Sequence, residues 1–254
     1  TVPGSPLYKS NNKISQIVNY ALIEADKYFS AGFDAVIVEN YGDKPYEPRC
    51  SRVETIASMT VIVRSIVEEY GRPVGVSLLR NSGPEAMAIA SAAEASFIRV
   101  NALGEVMVSP EGILQPVARK IVEIREIFGS HVKIMADVFC KHATPLHGMD
   151  MIDVARDLIE RCMADAIILT GKRTGEPPDI EQLLRTKKII NVPLIVGSGI
   201  SIENILDYWE HADGFIVGTS LKTGSKTENP VDEYKACEFA EKVVKLKMRG
   251  EYFD

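Results

Sequence analysis

Short, nearly continuous apolar runs alternate along the chain with longer stretches in which apolar residues recur at helical spacing. Runs of this kind, rich in valine and isoleucine, are typical of strands in a parallel sheet that is covered on both faces. They predict seven strands, at residues 33–39, 73–79, 97–101, 132–138, 165–170, 193–196 and 214–218.

The stretches between these runs predict eight helices. The first has an apolar stripe from Ile14 to Leu22, and the last has one from Ala236 to Val243. The other helices are expected near residues 52–70, 84–94, 115–128, 150–162, 179–190 and 201–209. Strict alternation of strand and helix, with no linker between halves, predicts an α/β fold with a parallel sheet in one domain, residues 1–254.

The number of strands leaves two architectures open. A closed (β/α)8 TIM barrel needs eight strands, but the first helix follows a loop, residues 1–8, and not a strand. We therefore expect strand one to precede Thr1 and to be absent from this sequence. The alternative is an open, doubly wound sheet of seven strands. The glycine-rich segments described below favour the barrel.

Composition and charge exclude several classes of protein. The 254 residues are 46% apolar and 25% charged, as in ordinary globular proteins. A net charge of −6 without a basic block argues against a nucleic-acid partner. No apolar run approaches the roughly 20 residues that span a bilayer, so we expect no integral membrane segment. Peripheral membrane association and a homo-oligomer both stay open. The four cysteines are dispersed, which favours reduced thiols in the cytoplasm.

Glycine-rich segments follow the last two predicted strands. They read VGSGIS at 196–201 and VGTSLK at 217–222. In closed barrels these two loops commonly hold phosphate, because glycines let backbone N–H groups approach an anion closely. A tight turn would also explain any single glycine. The paired loops predict six phosphate-binding residues: Gly197, Ser198, Gly199, Gly218, Thr219 and Ser220.

Polar residues also end several of the apolar runs. Side chains alternate between faces along a strand, so Glu39 and Asp137 are expected to face the barrel interior. Arg99 and Asn101 share a parity, so both are expected to point to one side. A charge there needs a partner or a ligand. An ion pair of Glu39 or Asp137 with Arg99, without any chemistry, is the alternative. We expect Glu39 and Asp137 to be catalytic, and the following residues to bind substrate: Asn40, Asn81, Arg99, Asn101 and Thr170.

Two ionisable residues follow the 132–138 run. His142 can serve as a general acid or base near neutral pH. Lys141 can meet an anion or, if desolvated, form a Schiff base. Asp137, His142 and His147 could together hold a divalent metal, but their spacing matches no compact ligand pattern. The sequence therefore indicates no cofactor.

Long loops follow two of the strands, at residues 40–46 and 170–179. Loops on this face of a barrel usually shape the pocket or close over it. Thr174 and Glu176 are accordingly candidate substrate contacts. The alternative is that both are ordinary solvated loop residues.

Taken together, these segments resemble the BtpA family, named after a cyanobacterial photosystem I biogenesis protein. The resemblance covers essentially the whole chain and includes residues 3–6, 38–43, 75–81, 97–101, 136–142, 174–179, both glycine-rich segments and 229–232. It implies a barrel of the ribulose-phosphate-binding type, with a strand that typically carries a histidine before the Pro-Gly-Ser-Pro loop. Lys172 stands where the family often has a small residue, so Lys141 is the better candidate for an aldolase-type lysine.

Two functions compete at this point. The first is an enzyme acting on a phosphorylated small metabolite, such as a sugar phosphate or nucleotide. The second is a non-catalytic biogenesis or stability factor for a membrane protein complex such as photosystem I, with Tyr252 and Phe253 as a weak candidate for the partner surface. Polar side chains inside the barrel mouth favour the first, as do similar proteins in organisms without photosynthesis.

Overall fold

The computed structural model describes residues 1–9 and 12–250, in which strands and helices alternate as the sequence predicts. Tyr252 and Phe253 lie outside these residues. The helices are α1 (Ile14–Ala31), α2 (Val53–Tyr70), α3 (Gly83–Ala92), α4 (Ala118–Phe128), α5 (Met151–Glu160), α6 (Ile180–Lys187), α7 (Ile205–Trp209) and α8 (Glu233–Gly250). The strands are β1 (Val36–Glu39), β2 (Val74–Ser77), β3 (Phe97–Val100), β4 (Met107–Ser109), β5 (Gly112–Leu114), β6 (Lys133–Val138), β7 (Thr144–Pro145), β8 (Ala166–Leu169), β9 (Leu194–Val196) and β10 (Gly214–Phe215).

Seven of the strands form one parallel sheet whose spatial order follows the chain. The order is β1-β2-β3-β6-β8-β9-β10. A doubly wound sheet would reverse its order at a switch point, so the open-sheet alternative is wrong. Consecutive helices α1 to α4 pack side by side, and α1 also packs against the last helix, α8. The strand expected before Thr1 stays a prediction.

The two faces of this sheet have different composition. Valine and isoleucine on the outer face, such as Val76, Ile98 and Ile167, are buried in one core with the helices. On the inner face Phe97 lies over Gly75, where an added Cβ would come within 2.1 Å of the ring. Above this layer the inner positions become polar, with Arg99 paired to Asp137 across β3 and β6. The predicted side-chain parity of these strands is therefore confirmed.

A second, antiparallel sheet was not predicted. β4 pairs with both β5 and β7, in the order β5-β4-β7. Its strands contain only two or three residues, too few to show an alternating pattern in the sequence. β5 ends at Leu114, and α4 begins at Ala118 and not near 115, with the N–H groups of Val117 and Ala118 donating to the Leu103 carbonyl.

The antiparallel sheet positions the segment that follows β6. β7 pairs with β4, and the Leu146 N–H donates to the Val106 carbonyl at 3.0 Å. Within the segment, Phe139 and His142 both have left-handed backbone, with φ of 53° and 58°. Such backbone is uncommon outside glycine and is kept only where the surroundings hold it. The chain thereby bends and carries Lys141 and His142 over the end of the barrel.

None of the helices in the described part of the chain has the length and apolar character needed to cross a bilayer.

Candidate functional site

A cleft of about 1190 Å³ opens at the carboxyl ends of the parallel strands. Its walls come from the loops that follow β1, β2, β3, β6, β8, β9 and β10. The position agrees with the rule that barrel sites lie at this end. The residues predicted for the site that line it are Glu39, Arg99, Asn101, Lys141, His142, Thr174, Glu176, Gly197, Ser198, Gly199, Gly218, Thr219 and Ser220.

The glycines of the two loops differ in why glycine is found at each position. A Cβ on Gly199, whose φ is +72°, would lie 2.0 Å from the Pro177 nitrogen. A Cβ on Gly197 would lie 2.4 Å from Ile168 Cγ2. Packing alone thus requires glycine at both positions. A Cβ on Gly218 would meet no atom within 4 Å, so this residue faces open space in the cleft.

A hydrogen bond joins the two glycine loops. The Ser220 hydroxyl donates to the Ile200 carbonyl at 2.8 Å, which links the loop after β10 to the loop after β9. Among the described residues, the N–H groups of Ser198, Gly199 and Gly218 have no acceptor in the protein. Unpaired N–H groups on the wall of a cleft are suited to bind an anion.

The Ser198 hydroxyl attaches the loop after β8 to this wall. It accepts a hydrogen bond from the Gly171 N–H at 3.2 Å and donates to the Glu176 carbonyl at 2.8 Å. The loop thereby brings Thr174 and Glu176 to the cleft. Ser198 uses its side chain for structure, so its backbone is the part free to meet a ligand.

A buried polar network supports the floor of the cleft. Asp137, with no exposed side chain, accepts two hydrogen bonds from Arg99, at 2.9 and 3.0 Å, and one from Asn101 at 2.9 Å. The side-chain Oδ1 of Asn101 accepts a hydrogen bond from the Arg80 guanidinium at 2.7 Å. Burial opposes the charge of Arg99, but the Asp137 carboxylate outweighs it and raises the pKa of the guanidinium. Asp137 therefore acts on the cleft through Arg99 and Asn101 and does not line it.

Lys141 and His142 lie together on one wall. Burial lowers the pKa of Lys141, and the neighbouring Arg99 lowers it further. Burial also lowers the pKa of His142, with Arg80 and Lys141 adding to the effect. His142 Nε2 lies 3.0 Å from the Thr174 hydroxyl. A neutral imidazole so placed can accept or pass on a proton near neutral pH.

Glu39 lies at the mouth of the cleft, at the end of β1. It is exposed, and its Oε1 accepts a hydrogen bond from the Ser77 hydroxyl at 3.0 Å on the neighbouring strand. Thr170 is placed differently, because it does not line the cleft and its buried hydroxyl has no partner in the described part of the chain. Glu39 is thus a carboxylate accessible to a ligand in the cleft that Arg80 and Lys141 also line.

The structure corrects the expectation for two asparagines. The side-chain Oδ1 of Asn40 accepts a hydrogen bond from the Leu79 N–H at 2.8 Å. The side-chain amide of Asn81 forms hydrogen bonds with the backbone of Ala102 and Gln115. Neither lines the cleft. Their amides satisfy backbone groups where the strands turn into loops, which is a common use of asparagine.

No three side chains of His, Cys, Asp or Glu in residues 1–9 and 12–250 are placed to share a metal ion. His147 is exposed and lies outside the cleft, away from Asp137. The four cysteines are free thiols: Cys50, Cys140, Cys162 and Cys237.

Several cleft residues were not predicted from the sequence. Arg80 follows β2 and is 7% exposed, and its charge in an apolar context could have identified it. Lys235, in the first turn of α8, reaches the end of the cleft that the glycine loops line, where its ammonium donates to the Ser225 hydroxyl at 3.0 Å. Tyr41 and Tyr46 line the opposite side. A helix-terminal lysine and loop tyrosines have no signal in a single sequence that separates them from ordinary surface residues.

The fold is similar to that of solved barrel enzymes. A phosphoribosyl anthranilate isomerase from Thermus thermophilus superposes with a TM-score of 0.57 over 89% of this chain and 94% of that one, at 16% identity. At that identity the likeness concerns the fold alone. The architecture is therefore a TIM barrel, as the sequence predicts.

Relatives are found at much higher identity. An uncharacterised protein of Pyrococcus abyssi is 45% identical over 98% of this chain and 94% of its own length. The photosystem I biogenesis protein BtpA of Synechocystis is 36% identical over 90% of this chain and 80% of its own. The model of the BtpA family matches residues 1–245. The chain therefore belongs to the BtpA family.

Proposed function

We propose that this protein is an enzyme that acts on a phosphorylated small metabolite, such as a sugar phosphate or a nucleotide. The observation that carries the proposal is the pair of glycine loops, which are joined by a hydrogen bond, line one cleft and have N–H groups without a protein acceptor. Ionisable side chains line the same cleft. We expect it to act in the cytoplasm, where its thiols stay reduced.

In this proposal the phosphate is the anchor of the substrate. The N–H groups of Gly199 and Gly218 would donate to its oxygens, with Thr219 and Ser220 beside them. Lys235 would add a positive charge at the same end. Binding a phosphate that does not react supplies free energy that orients the rest of the substrate.

The reacting end would lie toward Lys141, His142 and Glu39. We assign His142 or Glu39 the transfer of a proton, because both are accessible in the cleft. Asp137 receives a positioning role, since its three accepted hydrogen bonds hold Arg99 and Asn101 in place. Thr174 would orient the imidazole through its hydroxyl.

A thermal-shift screen of phosphorylated metabolites tests the proposal. A ligand that binds only the folded protein raises its melting temperature as concentration increases. We expect sugar phosphates or nucleotides to stabilise the wild type, and Gly218→Asp to remove the effect. The new carboxylate would enter open space and repel the phosphate without disturbing the packing.

Gly148→Asp is the matched control for that variant. An added Cβ at Gly148 also meets no atom within 4 Å, but this glycine lies outside the cleft. Stabilisation that is lost in both variants, or kept in both, would contradict the phosphate site. No stabilisation of the wild type across a broad set of phosphorylated compounds would contradict the enzyme proposal itself.

The name of the cyanobacterial relative supports a second function, a biogenesis or stability factor for a membrane complex. It predicts that the protein co-purifies with such a complex from its own cells and that His142→Ala leaves the association unchanged. We favour the enzyme because the relative from Pyrococcus abyssi, a non-photosynthetic organism, is more similar to this chain. A scaffold also has no need for buried charges such as Arg99 at the mouth of a barrel.

A further inference from the structure

Lys141 is a cation of the cleft that phosphate binding does not use. It is half-buried, three residues beyond the end of β6, and lines the cleft. Within residues 1–9 and 12–250, its ammonium has no hydrogen bond and no ion pair, whereas Arg99 is paired to Asp137. Burial of a charge without a partner is unfavourable, so this position favours the neutral form of the lysine.

The surrounding charges favour that neutral form. Burial is the main cause that lowers the pKa of Lys141, and the guanidinium groups of Arg99 and Arg80 act in the same direction. Asp137 and Glu39 oppose the shift only in part. The neutral amine is the nucleophilic form of lysine, and desolvation beside another cation is a known way to activate it.

Backbone contacts hold this lysine in place. The Lys141 carbonyl accepts a hydrogen bond from the Arg80 guanidinium, and the His142 N–H donates to the Lys172 carbonyl at 3.3 Å. The next residue, His142, has left-handed backbone. The main chain at Lys141 is therefore fixed, which reduces the entropy lost when its side chain reacts.

Arg99 places Lys141 near the glycine loops. Arg99 Nη2 lies 3.4 Å from the position of a Cβ on Gly197, and the same guanidinium is the strongest charge acting on Lys141. Lys141, Arg99 and the loop after β9 line the same cleft. A small molecule anchored by its phosphate at the glycine loops would extend toward the lysine.

We propose that Lys141 is a catalytic residue that forms an imine with the carbonyl carbon of a phosphorylated aldehyde or ketone; this rests on the phosphate site proposed above. The neutral Nζ bonds to the carbonyl carbon and gives up a proton, and the carbonyl oxygen takes one up, giving a carbinolamine. A further proton then allows water to leave, which breaks the carbon–oxygen bond and yields a protonated imine. The protons exchange with water in the open cleft.

Borohydride trapping tests this directly, because hydride reduces the imine to a stable secondary amine. The protein would be incubated with glyceraldehyde 3-phosphate, dihydroxyacetone phosphate or ribose 5-phosphate, reduced, and mapped by peptide mass spectrometry. We expect labelling at Lys141 several-fold faster than at Lys172, which is exposed in the loop after β8. Lys141→Arg should lose this label, and Lys172→Arg should keep it.

Two further arms separate the imine from the phosphate site. Glycerol 3-phosphate has no carbonyl, so it should stabilise the protein in a thermal-shift assay without labelling it. Unphosphorylated glyceraldehyde should label Lys141 more slowly than its phosphate. Labelling spread evenly over exposed lysines would overturn the imine. If glycerol 3-phosphate still stabilises the protein, the phosphate site survives; if it does not, both proposals fail.

Discussion

At the scale of single residues, Glu105 is a carboxylic acid buried close to the segment that carries Lys141. It is 4% exposed, its Oε1 has no partner in the described part of the chain, and its Oε2 accepts from the Gly104 N–H at 3.2 Å. Burial raises the pKa of Glu105 to about 7, and N–H groups including that of Phe139 offset this only in part. The neutral acid is therefore the form that the fold prefers.

The pKa of Glu105 predicts a pH dependence of stability. Because the folded pKa lies above the ordinary value of 4.5, the stabilisation is complete below that value and is lost as pH rises toward 7. Between about pH 5 and about pH 8, the free energy of unfolding of the wild type should fall by on the order of 2 kcal/mol relative to Glu105→Gln. Urea unfolding of both proteins measures this. Parallel pH profiles for the two would show that Glu105 ionises normally.

The sequence predicts residue positions well where a strand determines them. Alternation placed Glu39 and Asp137 on the inner face and put Arg99 and Asn101 on one common side, and hydrogen bonds join Arg99, Asn101 and Asp137. Asn40 and Asn81 lie just beyond their strands, where the alternation of faces no longer applies. The side chains of both form hydrogen bonds with backbone N–H groups. Glu105 carried no signal, because its burial depends on the antiparallel sheet.

At the scale of elements, the loops after β8 and β9 form one packed unit. Ser198 bonds the backbone of both Gly171 and Glu176, and Gly199 approaches Pro177 too closely for any side chain. The buried Tyr208 hydroxyl of α7 donates to the Pro178 carbonyl at 3.0 Å. The loop after β8, which carries Thr174 to the cleft, is thus held in place by the loop after β9 and by α7.

Gly199→Ala should break this unit. Its Cβ would lie 2.0 Å from Pro177 and its φ of +72° is unfavourable for alanine, so we expect a loss of about 1–3 kcal/mol in the free energy of unfolding. Stabilisation by phosphorylated ligands should weaken as well. Gly148→Ala, with open space and no left-handed φ, is the control and should unfold like the wild type. Equal stability of the two variants would mean that the loops are not packed in this way.

Long periodic elements were predicted from the sequence, and short ones were not. α2 and α8 have clear apolar stripes over 18 residues each, and both appear as expected. β4, β5 and β7 have two or three residues each, and α7 has five, starting at Ile205 and not near 201. In such short segments tertiary hydrogen bonds decide the conformation, so the local pattern contains little information.

At the scale of the whole molecule, the barrel gathers its polar groups at one end. Every strand of the parallel sheet points its carboxyl end toward the cleft, so seven separate loops contribute to one site. Glu24 of α1 holds the segment before α8 against the first helix. Its carboxylate accepts hydrogen bonds from the Lys222 ammonium at 3.2 Å and from the Val231 N–H at 2.8 Å. Through these contacts Lys235 of α8 lines the cleft together with the glycine loops.

The parallel sheet could be predicted because strict alternation of strand and helix allows few topologies, and the glycine-rich segments favoured the barrel over a doubly wound sheet. The identity of the cleft-lining loop residues could not, since it depends on how the loops fold over the barrel. Lys235 is the plainest case: it reaches the cleft only because α8 packs against α1. Fold and location of the site thus follow from pattern, and its detailed chemistry follows from packing.

A crystal structure of the protein soaked in inorganic phosphate is the decisive test of the phosphate site. We expect a tetrahedral anion between the loops after β9 and β10, within hydrogen-bond distance of the N–H groups of Gly199 and Gly218. An anion bound only at surface lysines, or an empty site at phosphate concentrations that fill such surface positions, would contradict it.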